Sequence, residues 1–298
     1  MRVAVIDLGT NTFNLLVADV HATGFHTVHN SKEGVALGMG GINHGIISEE
    51  AQQRAFAAFE KFKAICNEHQ VTQILGIGTS AIRDASNGKA FVSTLKTRFG
   101  IDVEIIDGLK EAELIYQGVS WSHDFKESSV IMDIGGGSTE FIRIEAGKPL
   151  QSCSLNIGVS RAVQLFDLSD PISKKDQESL INWFEEQAEG IHHFEACEVL
   201  IGASGSFETF YEMVHETPFP PGIETIHLNR SELDATLEWI IASTHAERES
   251  HPFIIPIRRR MAPIAALKTK WVLEKFNIQE VVISPCSLKE GVLKSFIR

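Results

Sequence analysis

Two short segments of this chain are built alike. Residues 3–11 read VAVIDLGTN, and residues 130–140 read VIMDIGGGSTE. Each is an apolar run, then an Asp (Asp7, Asp133), then a turn rich in Gly, Thr, Ser or Asn. A second apolar run follows in each (13–20; 141–144). Runs of this length with β-branched residues read as buried strands. The glycines read as tight hairpin turns whose backbone N–H groups no side chain obstructs. Such turns cradle phosphate oxygens, and an Asp at the strand end can hold a cation against them. Either turn alone is equally well a plain hairpin. The pair, 126 residues apart and each led by Asp, predicts two homologous halves closing on one phosphate-bearing ligand.

The rest of the chain follows that division. Its 298 residues suffice for two ordinary domains. Strands are predicted at 2–7, 13–20, 24–33, 73–78 and 103–106. Helices are predicted from Ser48, with Glu49 and Glu50 in the first turn, to Glu68, then from Thr79 and from Lys110. The second half repeats this loosely, with strands at 129–134, 139–145, 150–155, 197–201 and 280–284 among helices. The expected class is α/β, two domains of βββαβαβα order at 1–124 and 125–298, with a cleft between them. The boundary is placed in the polar, aperiodic stretch 121–128, and the last helix is expected to pack back on the first domain.

Composition narrows the function classes. A net charge of −12 argues against broad nucleic-acid binding. No stretch approaches the roughly 20 apolar residues of a membrane span, and the N-terminus opens directly into a strand, so no membrane partner and a cytoplasmic location are expected. Cys66, Cys153, Cys197 and Cys286 form no C-x-x-C pair and read as buried, inert thiols. The 12 histidines show no metal-ligand spacing.

Several further segments join the twin turns in a resemblance. Asp7–Thr12, Gly78–Asn87, Gly108–Gly118, Asp133–Glu140, Gly202–Ser206 and Leu288–Leu293, in that order, resemble the Ppx/GppA phosphatase family. That family belongs to the ribonuclease-H-like, actin-like ATPase superfamily. The resemblance implies Mg²⁺-dependent (or Mn²⁺-dependent) hydrolysis of terminal phosphoanhydride bonds, in inorganic polyphosphate or guanosine pentaphosphate. Phosphate binding then falls to Gly9, Thr10, Asn11 and Thr12, and to Gly135, Gly136, Gly137, Ser138 and Thr139. Asp133 and Glu140, assisted by Asp7, would hold the metal. Glu111 aligns with the family's general base. By its residues alone, Glu111 reads instead as a helix N-terminal carboxylate favoured by the macrodipole.

The same resemblance makes Arg83 a phosphate-contacting fork, whereas its residues alone allow an ion pair with Asp84 or Asp107. Asn87 matches a family position or caps a turn. Gly202, Ser204, Gly205 and Ser206 resemble the turn that approaches a nucleotide in actin-like ATPases, or make an ordinary strand-to-helix turn. This chain departs from the family at Lys110, where a Glu is usual, and at Glu113, where an Arg is frequent. Arg258–Arg260 is the strongest basic cluster, read as a phosphate contact or a solvated face. The leading function is a phosphoanhydride hydrolase. The alternatives are an ATP-dependent small-molecule kinase of the same superfamily and a non-catalytic alarmone sensor. Helical faces near the C-terminus are candidates for pairing into a homodimer.

Overall fold

Val3, Ala4, Val5, Ile6 and Leu8 have no exposed surface. A strand covered on both faces reads as an unbroken apolar run, and this is the central strand of its sheet. In the computed structural model, which describes residues 1–297, the chain divides into two units. The first comprises Met1–Gly118 and the C-terminal segment from Leu288; the second comprises Val119–Ser287. The change of unit falls at the end of a helix rather than in the polar stretch after it.

The first unit contains β1 (Arg2–Leu8), β2 (Thr12–His21), β3 (Gly24–Gly34), α1 (Glu49–Glu68), β4 (Gln73–Gly78), α2 (Ser80–Arg83), α3 (Gly88–Phe99), β5 (Asp102–Ile105) and α4 (Gly108–Val119). Its sheet runs β3-β2-β1-β4-β5. β1 pairs antiparallel with β2 and parallel with β4, and β4 pairs parallel with β5. Ser48 caps α1, its hydroxyl accepting from the Ala51 N–H at 3.2 Å. α1 and α3 cover one face through Phe56, Phe59, Phe91 and Phe99, packed as ring pairs.

The second unit contains β6 (Ser129–Ile134), β7 (Thr139–Glu145), β8 (Lys148–Leu155), α5 (Val159–Leu165), α6 (Lys174–Glu186), β9 (Val199–Gly202), α7 (Gly205–His215), β10 (Ile226–Leu228), α8 (Arg230–Ala242), α9 (His245–Ser250), α10 (Ala262–Lys275) and β11 (Glu280–Ile283). α11 (Leu288–Leu293) follows and belongs to the first unit. The second sheet runs β10-β11-β9-β6-β7-β8. Read from the hairpin side, it repeats the first sheet strand for strand, with the same parallel and antiparallel pairings. β10, three residues added antiparallel to the edge, is the addition that the sequence pattern does not foretell. Among the described residues, no helix is long and apolar enough to cross a membrane.

Candidate active site

The twin turns are held by the same device in both units. In the first, the Asn11 carbonyl accepts from the Val35 and Ala36 amides, and the Thr10 carbonyl accepts from Gly38. In the second, the carbonyls of Gly135, Gly136 and Gly137 accept from the amides of Val159, Ser160 and Gly158. Arg161 adds a bond from its Nε to the Gly137 carbonyl at 2.7 Å. In each unit, therefore, the segment after the third strand grips the turn by its carbonyls. A peptide unit whose carbonyl is held on one side turns its N–H toward the other, the geometry of an anion cradle.

The glycines that open the turns are equivalent. A Cβ on Gly9 would lie 2.9 Å from the Thr12 carbonyl oxygen, and one on Gly135 would lie 2.8 Å from that of Ser138. Gly158 is tighter still, its would-be Cβ 2.2 Å from the Gly136 carbonyl oxygen. The hydroxyl-bearing residues of the turns are mostly enclosed. Thr10, Ser138 and Thr139 are buried, and the Thr139 hydroxyl accepts from Lys268 Nζ at 2.9 Å. Thr139 thus faces the core, where its hydroxyl accepts from Lys268.

The acidic residues pair across the strands in matching register. Asp7 stands opposite Asn14, and Asp133 stands opposite Glu140. In the first unit Asn14 Nδ2 donates to Asp7 Oδ2 at 3.0 Å. In the second, two carboxylates occupy the corresponding positions. Asp133 accepts from Ser287 Oγ at 2.8 Å, and Glu140, almost wholly buried, accepts from Ser154 Oγ at 2.6 Å. Like charges directly opposite on a sheet repel, and a cation bound between them would relieve that repulsion. Two carboxylates and neighbouring hydroxyls are an all-oxygen donor set, which suits Mg²⁺ or Mn²⁺ completed by water and substrate oxygens. Among the described residues no three His, Cys, Asp or Glu side chains form a closed metal cluster. Asp7 belongs to the other unit, where burial pushes it up to about 6 despite the bond from Asn14 and the attraction of Lys289.

Glu111 lies in the first turn of α4, nine-tenths buried. Asp107 starts that helix, its Oδ1 accepting from the Lys110 N–H at 2.8 Å. Arg83, at the end of α2, donates from Nη1 to Glu111 Oε2 at 2.7 Å and to the Ile106 carbonyl at 3.3 Å. Its Nε reaches Asp84 Oδ1 at 3.4 Å. The two residues assigned to phosphate and to base are thus each other's partners.

The departures at Lys110 and Glu113 explain one another. Lys110 Nζ lies 3.0 Å from Glu113 Oε2, an exposed i, i+3 pair. Where the family pattern has Glu and Arg, this chain has Lys and Glu, and here the two side chains pair with each other. Asn87 is a staple, its amide bonded to both backbone groups of Ile47.

The turn after β9 is filled from within. Ser204 Oγ accepts from the Ile134 N–H, and the Phe207 ring occupies the space a Cβ on Gly202 would need. The Arg258 guanidinium lies on Gly205 and bonds to Thr209 Oγ1 at 2.7 Å. Gly202, Ser204 and Gly205, expected to approach a nucleotide, are thus in contact with Phe207, Ile134 and Arg258 of the protein itself. The basic cluster also disperses: Arg259 pairs with Glu249, and Arg260 is exposed.

Sequence reasoning missed Lys289 and Glu290, brought beside Asp7 by α11, and their mutual ion pair at 3.0 Å. The motif Leu288–Leu293 was the available signal. α11 approaches α4 so closely that a Cβ on Gly291 would meet the Leu114 carbonyl oxygen. The four cysteines form no disulfide, and burial pushes Cys66 and Cys197 up to about 11 and Cys153 to about 12.

These observations meet the comparisons with known proteins. Residues 16–298 match the Ppx/GppA phosphatase family, and the chain belongs to it. It is 27% identical to a putative exopolyphosphatase of Haemophilus influenzae, over 99% of this chain and 91% of that protein. It is 28% identical to the bifunctional 3-dehydroquinate synthase/phosphatase of Fusobacterium nucleatum, over 94% of this chain but 44% of that protein. It spans 58% of the guanosine-5'-triphosphate,3'-diphosphate pyrophosphatase of Photobacterium profundum. Among solved structures, an exopolyphosphatase from Cytophaga hutchinsonii superimposes with a TM-score of 0.94 at 36% identity, covering 100% of this chain and 98% of that one. An Aquifex aeolicus family member shares the fold, with a TM-score of 0.82 at 22% identity over 100% and 97% of the two chains.

Proposed function

We propose that this protein hydrolyses terminal phosphoanhydride bonds in inorganic polyphosphate or guanosine pentaphosphate, with Glu111 as general base. The observation that carries the reading is the buried Glu111 fixed by Arg83 at 2.7 Å on the first turn of α4. The names of the Haemophilus, Photobacterium and Cytophaga relatives support the substrate class.

Transfer of a phosphoryl group to water needs little covalent chemistry from a protein. It needs charge balanced on the moving group and a water held in line. The amides of each Gly turn are suited to donate to phosphate oxygens. The ion pair to Arg83 fixes the plane of the Glu111 carboxylate, so that it orients the attacking water and takes its proton. Asp133 and Glu140 would hold Mg²⁺, which when bound neutralises charge on the phosphate oxygens. Ser287 and Ser154 orient those two carboxylates through the hydrogen bonds they donate.

The test is a phosphate-release panel over tripolyphosphate, long-chain polyphosphate, guanosine pentaphosphate and ATP, with Mg²⁺ or Mn²⁺. Release from polyphosphate or guanosine pentaphosphate is expected. No release from any phosphoanhydride would overturn the proposal. Transfer from ATP to a small acceptor would replace it with the kinase reading.

A further inference from the structure

Lys268 is wholly buried in α10, among aromatic and aliphatic side chains. Its neighbours on the same helix behave ordinarily: Lys270 and Lys275 reach surface carboxylates, Glu238 and Glu185. Lys268 does not. Its Nζ donates to Thr139 Oγ1 at 2.9 Å and to the Ile157 carbonyl, both neutral oxygens, and lies 5.3 Å from the centre of the Phe184 ring.

Those two oxygens bracket the second Gly turn. Thr139 follows Ser138 directly, and Ile157 precedes Gly158, whose amide binds the Gly137 carbonyl. One ammonium group therefore ties the end of the turn to the segment that grips it. Taking a cation out of water is costly unless an anion balances it. Glu140 attracts Lys268, yet loss of water still pulls the ammonium down to about 7. The ammonium stands behind a turn whose backbone amides favour an anion.

We infer that Lys268 is a positioning residue for phosphate: it fixes the second turn and places a buried positive charge behind it, which a polyphosphate bound on the turn balances. This rests on the reading that the turn binds phosphate. It adds a residue that touches no substrate and that no motif marks.

The experiment measures the Kd of inorganic tripolyphosphate with Mg²⁺ by calorimetry, in a Glu111→Gln background that prevents turnover. Lys268→Gln keeps a donor for Thr139 and removes the charge; Lys268→Met, of similar length, removes both. Lys268→Arg keeps the charge. Both neutral variants are expected to bind at least tenfold more weakly while circular dichroism and the melting transition report a folded protein. The Arg variant is expected within about threefold of the Lys268 parent. Equal affinity in either folded neutral variant would overturn the inference and reduce Lys268 to a structural tie. So would a Lys268 parent that binds no tripolyphosphate. Intact binding with no hydrolysis by the Glu111 enzyme would count against the proposed activity and leave the role of Lys268 standing.

Discussion

Arg83 Nη1 and Glu111 Oε2 stand 2.7 Å apart, joining the end of α2 to the start of α4. The pair is largely sheltered, its side chains 18% and 9% exposed. A sheltered, charge-assisted bond of this kind fixes geometry more firmly than a surface ion pair does. If its task is to hold the base, losing Arg83 misplaces Glu111 rather than removing it. Arg83→Gln should lower kcat for phosphate release by about 10²-fold, less than loss of Glu111 itself. Arg83→Lys should recover little of this, because an ammonium cannot reproduce the guanidinium fork that also spans the Ile106 carbonyl and Asp84. Steady-state phosphate release checks both variants.

The turns should tolerate no side chain at their opening glycines. In Gly9→Ala and Gly135→Ala the new methyl meets a carbonyl oxygen of the same turn, and the turn must open to admit it. KM is expected to rise about tenfold or more in each, with a small loss of stability. Gly158→Ala presses on the backbone of Gly136 and Gly137 and should cost about 1–3 kcal/mol of stability as well. Denaturant titration and KM, measured together, separate the two effects.

The exchanged pair Lys110–Glu113 should prove irrelevant to chemistry. Both side chains are about half exposed, and pairs of this kind contribute about 0–1 kcal/mol. Lys110→Glu combined with Glu113→Arg restores the order usual in the family and should leave kcat within about twofold. A large gain in kcat would show that Lys110 restrains Glu111.

Asp7 should be a liability to folding that activity requires. Burial raises its pKa from 3.8 to about 6. An acid with a higher pKa folded than unfolded binds more protons in the folded state, so stability falls as pH rises from about 4 to about 6 and stays lowered above. Asp7→Asn removes the charge. Without divalent cations it should stabilise the protein at pH 7.5, by on the order of 1–3 kcal/mol, and gain almost nothing near pH 4. Activity should fall, as expected where a site residue is kept at the expense of stability. Thermal melts at the two pH values decide the first claim.

The strand–Asp–turn repeat was legible because it is local: a covered strand must be apolar, and a cradle must be glycine-rich. Ser48 was legible as a cap for the same reason. What escaped the sequence depends on tertiary neighbours. Lys268 sits three positions before the buried Trp271, yet nothing local tells a buried lysine from a solvated one. Thr139 turns inward because α10 lies over that face. Arg258 fills the turn at Gly205 from 53 positions away. The Lys110–Glu113 exchange looked like two unrelated departures until their side chains were seen to meet. The register that sets Glu140 opposite Asp133, where Asn14 faces Asp7, follows from turn length and could have been counted from the twin motifs.

The central claim is that Glu111 activates water for phosphoanhydride hydrolysis. Phosphate release from saturating polyphosphate, in Mg²⁺, by the wild type and by Glu111→Gln tests it most directly. The account predicts turnover by the wild type and a fall in kcat of about 10²–10⁴-fold in the variant, with KM little changed. A variant that retains wild-type kcat would contradict it.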